Sequence, residues 1–197
     1  MNLVNWGVIP TDEIPINEYE LSSRLNTKKG FRSKDIERNF ERLKTLVNCR
    51  YSYIRLPVKK IDDNRLDCGF GEFKSATILK NLKGSQEVFV FAVTLGIGVD
   101  RLLNKLSLLS IADYFITDAI ASAMAEGAMD EADRRIKGDC LCRPRFSPGF
   151  GDLSLEVQPK LLKLIDAQKL LGISVGTSYL MTPMKSVTAI MGIIEKS

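Results

Sequence analysis

Glu87-Val-Phe-Val-Phe-Ala-Val-Thr94 decides the fold class. Aromatic and β-branched side chains dominate the run, and no position from Val88 to Val93 offers water a polar face, so it reads as a strand central in a sheet. The chain then turns through Gly96-Ile-Gly98 into a helix carrying Leu102, Leu103 and Leu106. Residues 111–137 form the longest helical stretch. Its middle, Ala119-Ile-Ala-Ser-Ala-Met-Ala125, is rich in small residues and lets a neighbouring element come close. Residues 138–154 break regular structure with Pro144, Pro148, Gly149 and Gly151. A second helix starts near Pro159, where proline is tolerated in the first turn, and Gly172 ends it. Ile173–Val175 and Ser186–Ile194 are candidate strands on either side of a Pro183 turn. Upstream, Tyr51–Val58 alternates like a strand, Asp62-Asp63-Asn64 is a turn, Leu66–Phe73 is a second strand and Ala76–Leu82 a short helix. Residues 16–26 and the Ile36, Phe40, Leu43, Leu46 periodicity after Ser33 predict two more helices, behind an extended lead-in over 1–15. The expectation is an α+β fold with one core.

Composition narrows the chemistry. The 197 residues include no histidine, which excludes Ser-His-Asp and Cys-His catalysis, histidine-ligated metals and an imidazole proton shuttle. The four cysteines at 49, 68, 140 and 142 lack paired Cys-x-x-Cys spacing and read as reduced thiols of a cytoplasmic protein, with no metal site. No signal-length or membrane-spanning apolar run occurs in the sequence. The net charge of +4 is uneven: residues 1–60 carry 12 basic and 7 acidic side chains. Lys28, Lys29, Arg32, Lys34, Arg38, Arg42 and Lys44 alternate with Asp35, Glu37 and Glu41, which is a solvated helix face or a contact for an acidic protein. No arginine-glycine tract or basic tail points to nucleic acid.

Four features are candidates for chemistry. Gly96-x-Gly98 stands where a phosphate-binding turn belongs, but Arg101 occupies the third glycine position of the dinucleotide pattern and no P-loop lysine follows, so a tight strand-to-helix turn is the better reading. In Arg145-Phe-Ser-Pro-Gly-Phe-Gly151, backbone restriction can gather main-chain groups, Arg145 can clamp a carboxylate and Phe150 can pack on a planar ring. The same loop also reads as structural, with a surface arginine. Asp118, Ser122 and Glu126 fall at i, i+4 and i+8, which is either the solvent face of the long helix or a stripe whose Glu126 meets a ligand ammonium, with Asp139 as a second anion. Thr177–Ser186 walls a pocket or closes a hairpin-like connection.

Arg145-Phe-Ser-Pro-Gly-Phe150, the helix Leu155–Leu171 and the segment Gly172–Thr188 together resemble the activation, S-adenosylmethionine-binding, domain of cobalamin-dependent methionine synthase, especially its short free-standing relatives. The resemblance covers about residues 85–192. It implies a mixed α/β single domain around a bent, mainly antiparallel sheet. Residues 85–197 would be the activation-domain-like core, and 1–84 a helical and strand portion of the same unit. It further implies that Glu126, Asp139, Arg145, Ser147, Gly149 and Phe150 bind the cofactor S-adenosylmethionine, with Arg145 on the methionine carboxylate and Ser147 offering backbone contacts to the adenosine end. Phe150 stands at a tyrosine position of the family, Asp139 is shorter than the usual glutamate, and Gly176-Thr177-Ser178 replaces Thr-Glu-Ser.

The implied function is that of an accessory protein for reductive reactivation of a corrinoid-dependent methionine synthase lacking its own activation domain. Cobalamin sits on that partner alone, and a flavodoxin-like or other reductant supplies an electron. No side chain need be an acid or base; positioning is the catalytic contribution. Two alternatives remain: a docking module that has lost tight S-adenosylmethionine binding, and an independent S-adenosylmethionine-dependent enzyme acting on a small substrate.

Overall fold

The computed structural model describes residues 3–25, 33–62, 65–69 and 71–194. Its centre is β6 (Ser85–Thr94), buried from Val88 to Thr94. β2 (Arg50–Pro57) pairs with one side of β6 and β10 (Ser186–Ile194) with the other, both antiparallel. β1 (Asn5–Val8) adds to β2, and the two-residue β7 (Leu141–Cys142) adds to β10. The sheet order is therefore β1-β2-β6-β10-β7, antiparallel throughout. The mixed helix-and-sheet class and the antiparallel character agree with the sequence reading.

The single core does not. Because successive side chains of a strand point to opposite faces, Phe89, Phe91 and Val93 enter one apolar cluster, while Val88, Val90 and Ala92 enter another. A strand apolar on both faces needs a layer on each. The first layer is helical: α1 (Glu18–Leu25), α2 (Ser33–Lys44), α4 (Ile97–Leu109) and α5 (Ile111–Lys137). The second contains α3 (Ala76–Asn81), α6 (Gln158–Leu164), α7 (Ala167–Leu171) and a small sheet of β3 (Lys59–Lys60), β4 (Arg65–Asp67) and β5 (Glu72–Lys74).

α5 coincides with the expected long helix. Ser110 caps it, its Oγ accepting from Asp113 N–H, and three basic residues occupy its last turn, where they complement the helix dipole. The close neighbour admitted by its small residues is the lead-in segment: a Cβ on Gly127 would stand 1.7 Å from the Pro15 carbonyl oxygen. Arg135 fastens the same segment, donating to the Val8 carbonyl (3.0 Å), to Glu13 and to Glu131 of its own helix (2.6 Å). The lead-in is thus an edge strand with a clasp. Gly96 and Gly98 do the work of a tight turn, since a Cβ on Gly98 would lie 2.6 Å from the Leu46 carbonyl.

Other boundaries moved as well. Leu66–Phe73 is two strands, because Asp67 Oδ1 accepts from the N–H groups of Gly69 and Gly71 and folds the chain back. The helix expected to be continuous over 155–171 breaks at Asp166, which has φ 49°. There the buried Ser52 hydroxyl donates to the Ile165 carbonyl (3.0 Å). The Ile173–Val175 and Ser186–Ile194 strands do not pair with each other. β8 (Ser174–Val175) instead pairs with β9 (Met181–Thr182) as a hairpin. Lys28, Lys29 and Arg32, and the turn residues Asp63 and Asn64, lie outside the described residues. In α2, Arg38 pairs with Asp35 and Asp113, and Lys44 with Glu41, so these charges serve helix packing and the helix surface.

Candidate ligand cleft

β10 is covered unevenly on its outer side. β7 reaches only Ile193 and Ile194, and Phe146 exchanges both main-chain bonds with Ile190 (2.8 and 2.9 Å). Upstream of Ile190 no strand lies alongside among the described residues. In an antiparallel ladder, alternate residues face the same neighbour. Thr188 and Ser186 therefore turn their main-chain groups the way Ile190 does, toward this open edge. A cleft of about 620 Å³ lies along it, a size typical of small-molecule sites.

The loop after α5 forms one wall. Arg143 N–H donates to the Gly192 carbonyl, Phe146 bridges Ile190, and Gly149 N–H donates to the Leu153 carbonyl. Asp152 anchors the far end of the loop at the start of α3: its carboxylate accepts from Ser75 Oγ (2.5 Å), Ala76 N–H (2.7 Å) and Thr77 N–H (3.1 Å). These bonds, led by Ser75, hold the carboxyl below the ordinary carboxylate range. Gly149 and Gly151 both have positive φ, which this tight path requires. The glycine-proline loop is fastened at both ends.

α5 supplies the second wall. Its polar stripe is half-exposed and meets two cations along its length. Lys185, beyond the β8–β9 hairpin, donates to Asp118 Oδ1 and Ser122 Oγ, both at 2.8 Å. Farther along, Arg145 lies 3.7 Å from Glu126, 2.7 Å from Asp130 and 3.5 Å from Asp133. Its side chain is 27% exposed and lines the cleft. The hairpin forms the third wall: Tyr179 in a left-handed conformation (φ 60°), Leu180, Met181 and Met184. Asp100, buried in α4, accepts from Met184 N–H at 2.8 Å and secures the end of that wall. Phe150, Leu180 and Met184 remain largely exposed at the mouth.

Glu126, Arg145, Ser147 and Phe150 all line this cleft, and Gly149 sits in the turn between them. Asp139 does not join them. It lines a separate depression with Arg55, Glu87 and Cys140. Cys49 and Cys68 are buried, which pushes both thiols up to about 12; Cys140 and Cys142 are half-buried beside the sheet edge. Sequence reasoning did not single out Gln158, Thr188 or Lys185. Helical spacing alone would have placed Asp130 and Asp133 on Glu126's stripe, and strand alternation would have placed Thr188 beside Ser186.

No family model matches the chain, and no curated protein matches its sequence. Among solved structures it is similar to a crystal structure of the MetH reactivation domain bound to AdoHcy. The TM-score is 0.73 at 15% identity, with 99% of this chain and 79% of that chain covered. The two share a fold. No helix among the described residues is long and apolar enough to cross a membrane.

Proposed function

We propose that this chain binds S-adenosylmethionine along the open edge of β10 and acts as a free-standing activator of a corrinoid-dependent methionine synthase. The observation that carries the reading is the meeting of Arg145, Glu126 and an apolar floor in one cleft, in the fold that holds AdoHcy in the MetH reactivation domain. Arg145 takes the ligand carboxylate, Glu126 takes the ammonium, and Ser147 contributes from the loop. Residues 85–197 supply all of these groups, and residues 1–84 complete the same unit by pairing β2 with β6.

When bound, S-adenosylmethionine would supply the methyl group for the corrinoid of the partner protein, reduced by a flavodoxin-like or other donor, and S-adenosylhomocysteine would remain in the cleft. The chain's own residues bind, orient and expose. Without histidine the cleft is built for placement rather than proton transfer. Leu180, Met184 and Phe150, exposed around the mouth, give the partner an apolar surface.

Calorimetric titration with millimolar S-adenosylmethionine tests the binding step. Heat of binding and protection from thermal unfolding are expected; their absence overturns it. The activator step is tested by mixing the protein with a corrinoid methionine synthase lacking an activation domain, plus reductant and S-adenosylmethionine. Methylcobalamin absorbance must appear faster with the protein than without it. One observation favours a second reading, a docking module without tight ligand binding: Asp130 already holds Arg145 at 2.7 Å. Association with the partner in the absence of any calorimetric signal would select it.

A further inference from the structure

Gln158 opens α6 and lines the cleft, yet it is only 4% exposed. A carboxamide carries one acceptor oxygen and two N–H donors, and burial makes each of them count. Its Oε1 accepts from the Thr188 hydroxyl of β10, itself 2% exposed. That bond joins two elements thirty residues apart and fixes the plane of the amide. Its Nε2 donates to no other described residue and is not sealed from solvent, so it stands at the surface of the cleft. The cleft therefore presents a donor that is held in place and unused by the protein.

The surroundings say what kind of acceptor it meets. The charged groups, Arg145 and Glu126, belong to the α5 side of the sheet, whereas Gln158 comes from the opposite layer. Phe146, which packs against the same apolar cluster as α6, and Leu155 also line the space. A carboxylate or ammonium is matched on the α5 side. On the α6 side a neutral N–H beside apolar surface matches a ring nitrogen on a flat heterocycle.

We infer that Gln158 is a specificity-determining residue of the cleft, its Nε2 donating to a ring nitrogen of the ligand's purine, with Thr188 as the positioning residue that aims it. This rests on the S-adenosylmethionine reading above. A site built to donate to one ring atom rejects the analogue lacking that atom, because the bound ligand then covers the donor without pairing it.

The test titrates the full chain with S-adenosylmethionine and with its 1-deaza, 3-deaza and 7-deaza purine counterparts, in which one ring nitrogen is replaced by C–H. The wild-type protein should bind one of the three about tenfold or more weakly than the parent. Gln158→Leu should weaken the parent by about the same factor and abolish that preference. Gln158→Glu, which keeps the shape, should also weaken the parent, since an acceptor then faces an acceptor. Thr188→Val should blunt the preference without removing it. Thermal unfolding of each ligand-free variant separates lost binding from lost fold, and the Glu variant carries the test if the Leu variant misfolds. Equal wild-type affinity for all four compounds, or a preference that survives in Gln158→Leu, overturns the inference alone. Failure of the wild type to bind the parent overturns the functional reading, and the inference with it.

Discussion

Replacing Arg145 by alanine separates a ligand clamp from a structural bridge, because the structure sets different magnitudes for the two. Its partners are Asp130 at 2.7 Å, Asp133 at 3.5 Å and Glu126 at 3.7 Å, with side chains 61%, 15% and 47% exposed. Pairs as open as those to Asp130 and Glu126 contribute roughly 0.2–1 kcal/mol each. Asp133 is more enclosed, but Lys137 stands 3.3 Å away and still compensates it after the truncation. The fold should therefore lose about 1 kcal/mol, a fall in Tm of roughly 2–4 °C for a chain of this size. A charge-assisted bond to a ligand carboxylate is worth about 1.5–3 kcal/mol, or roughly a 10- to 150-fold loss of affinity. Asp130→Asn probes the opposite direction: it removes a competitor for the guanidinium and should tighten binding several-fold. Differential scanning fluorimetry and calorimetry on the three proteins measure both quantities. Unchanged affinity in Arg145→Ala with a Tm drop beyond about 8 °C would refute the clamp and make Arg145 a structural residue.

Gly127→Ala should destabilise the protein despite alanine's better helix propensity. The new Cβ meets the Pro15 carbonyl, and overpacking of about 1–3 kcal/mol outweighs the roughly 1 kcal/mol gained in propensity; a raised Tm would show that the lead-in moves freely. Asp152→Asn should lower Tm and expose the 145–153 loop to limited proteolysis, since an amide cannot accept all three bonds from the start of α3. Stability should decline in acid for a stated reason. Glu131, clasped by Arg134 and Arg135, is lowered from 4.5 to about 2, so its contribution is complete above about pH 4.5 and is lost as pH falls toward 2. The amount is on the order of 2 kcal/mol after solvent screening, and Glu131→Gln should flatten that part of a denaturation-midpoint-against-pH curve.

Elements with a strong local signal were legible. The Glu87–Thr94 run had nowhere to be except inside a sheet, and the 111–137 periodicity, capped by Ser110 and closed by Gly138, read as one helix. What failed to read was set by distant partners. Nothing near Asp166 announces a break, because the break is made by Ser52, 113 residues upstream from the carbonyl it binds. Nothing in Asn5-Trp-Gly-Val8 marks a strand, because its strand character comes from pairing with β2 and from the Arg135 clasp. The two-core architecture was written in β6 itself: a strand apolar on both faces already demands two layers.

The cleft follows the same division. The Arg145 loop stood out through its proline and glycine residues, and Glu126 through its helical stripe; the structure brings them to 3.7 Å. Asp139 was expected beside Glu126 as a second anion, but β7 intervenes, and pairing to Ile193 and Ile194 carries that stretch to another face. Gln158 and Thr188 were illegible for a deeper reason. Each alone is an ordinary polar residue at a helix start or in a strand, and only the packing of α6 across β10 makes them a pair. The shortness of β7 has the largest consequence. Two more residues of pairing beyond the Phe146–Ile190 bridge would cover Thr188, and the edge would be an ordinary inner strand. Because the chain leaves β10 at Phe146 to be held by Asp152 at α3, it opens the sheet there and lines the gap with Arg145 on its way out. Loop anchoring and cleft formation are thus one structural event, so weakening the Asp152 anchor should disturb the cleft before it disturbs either core.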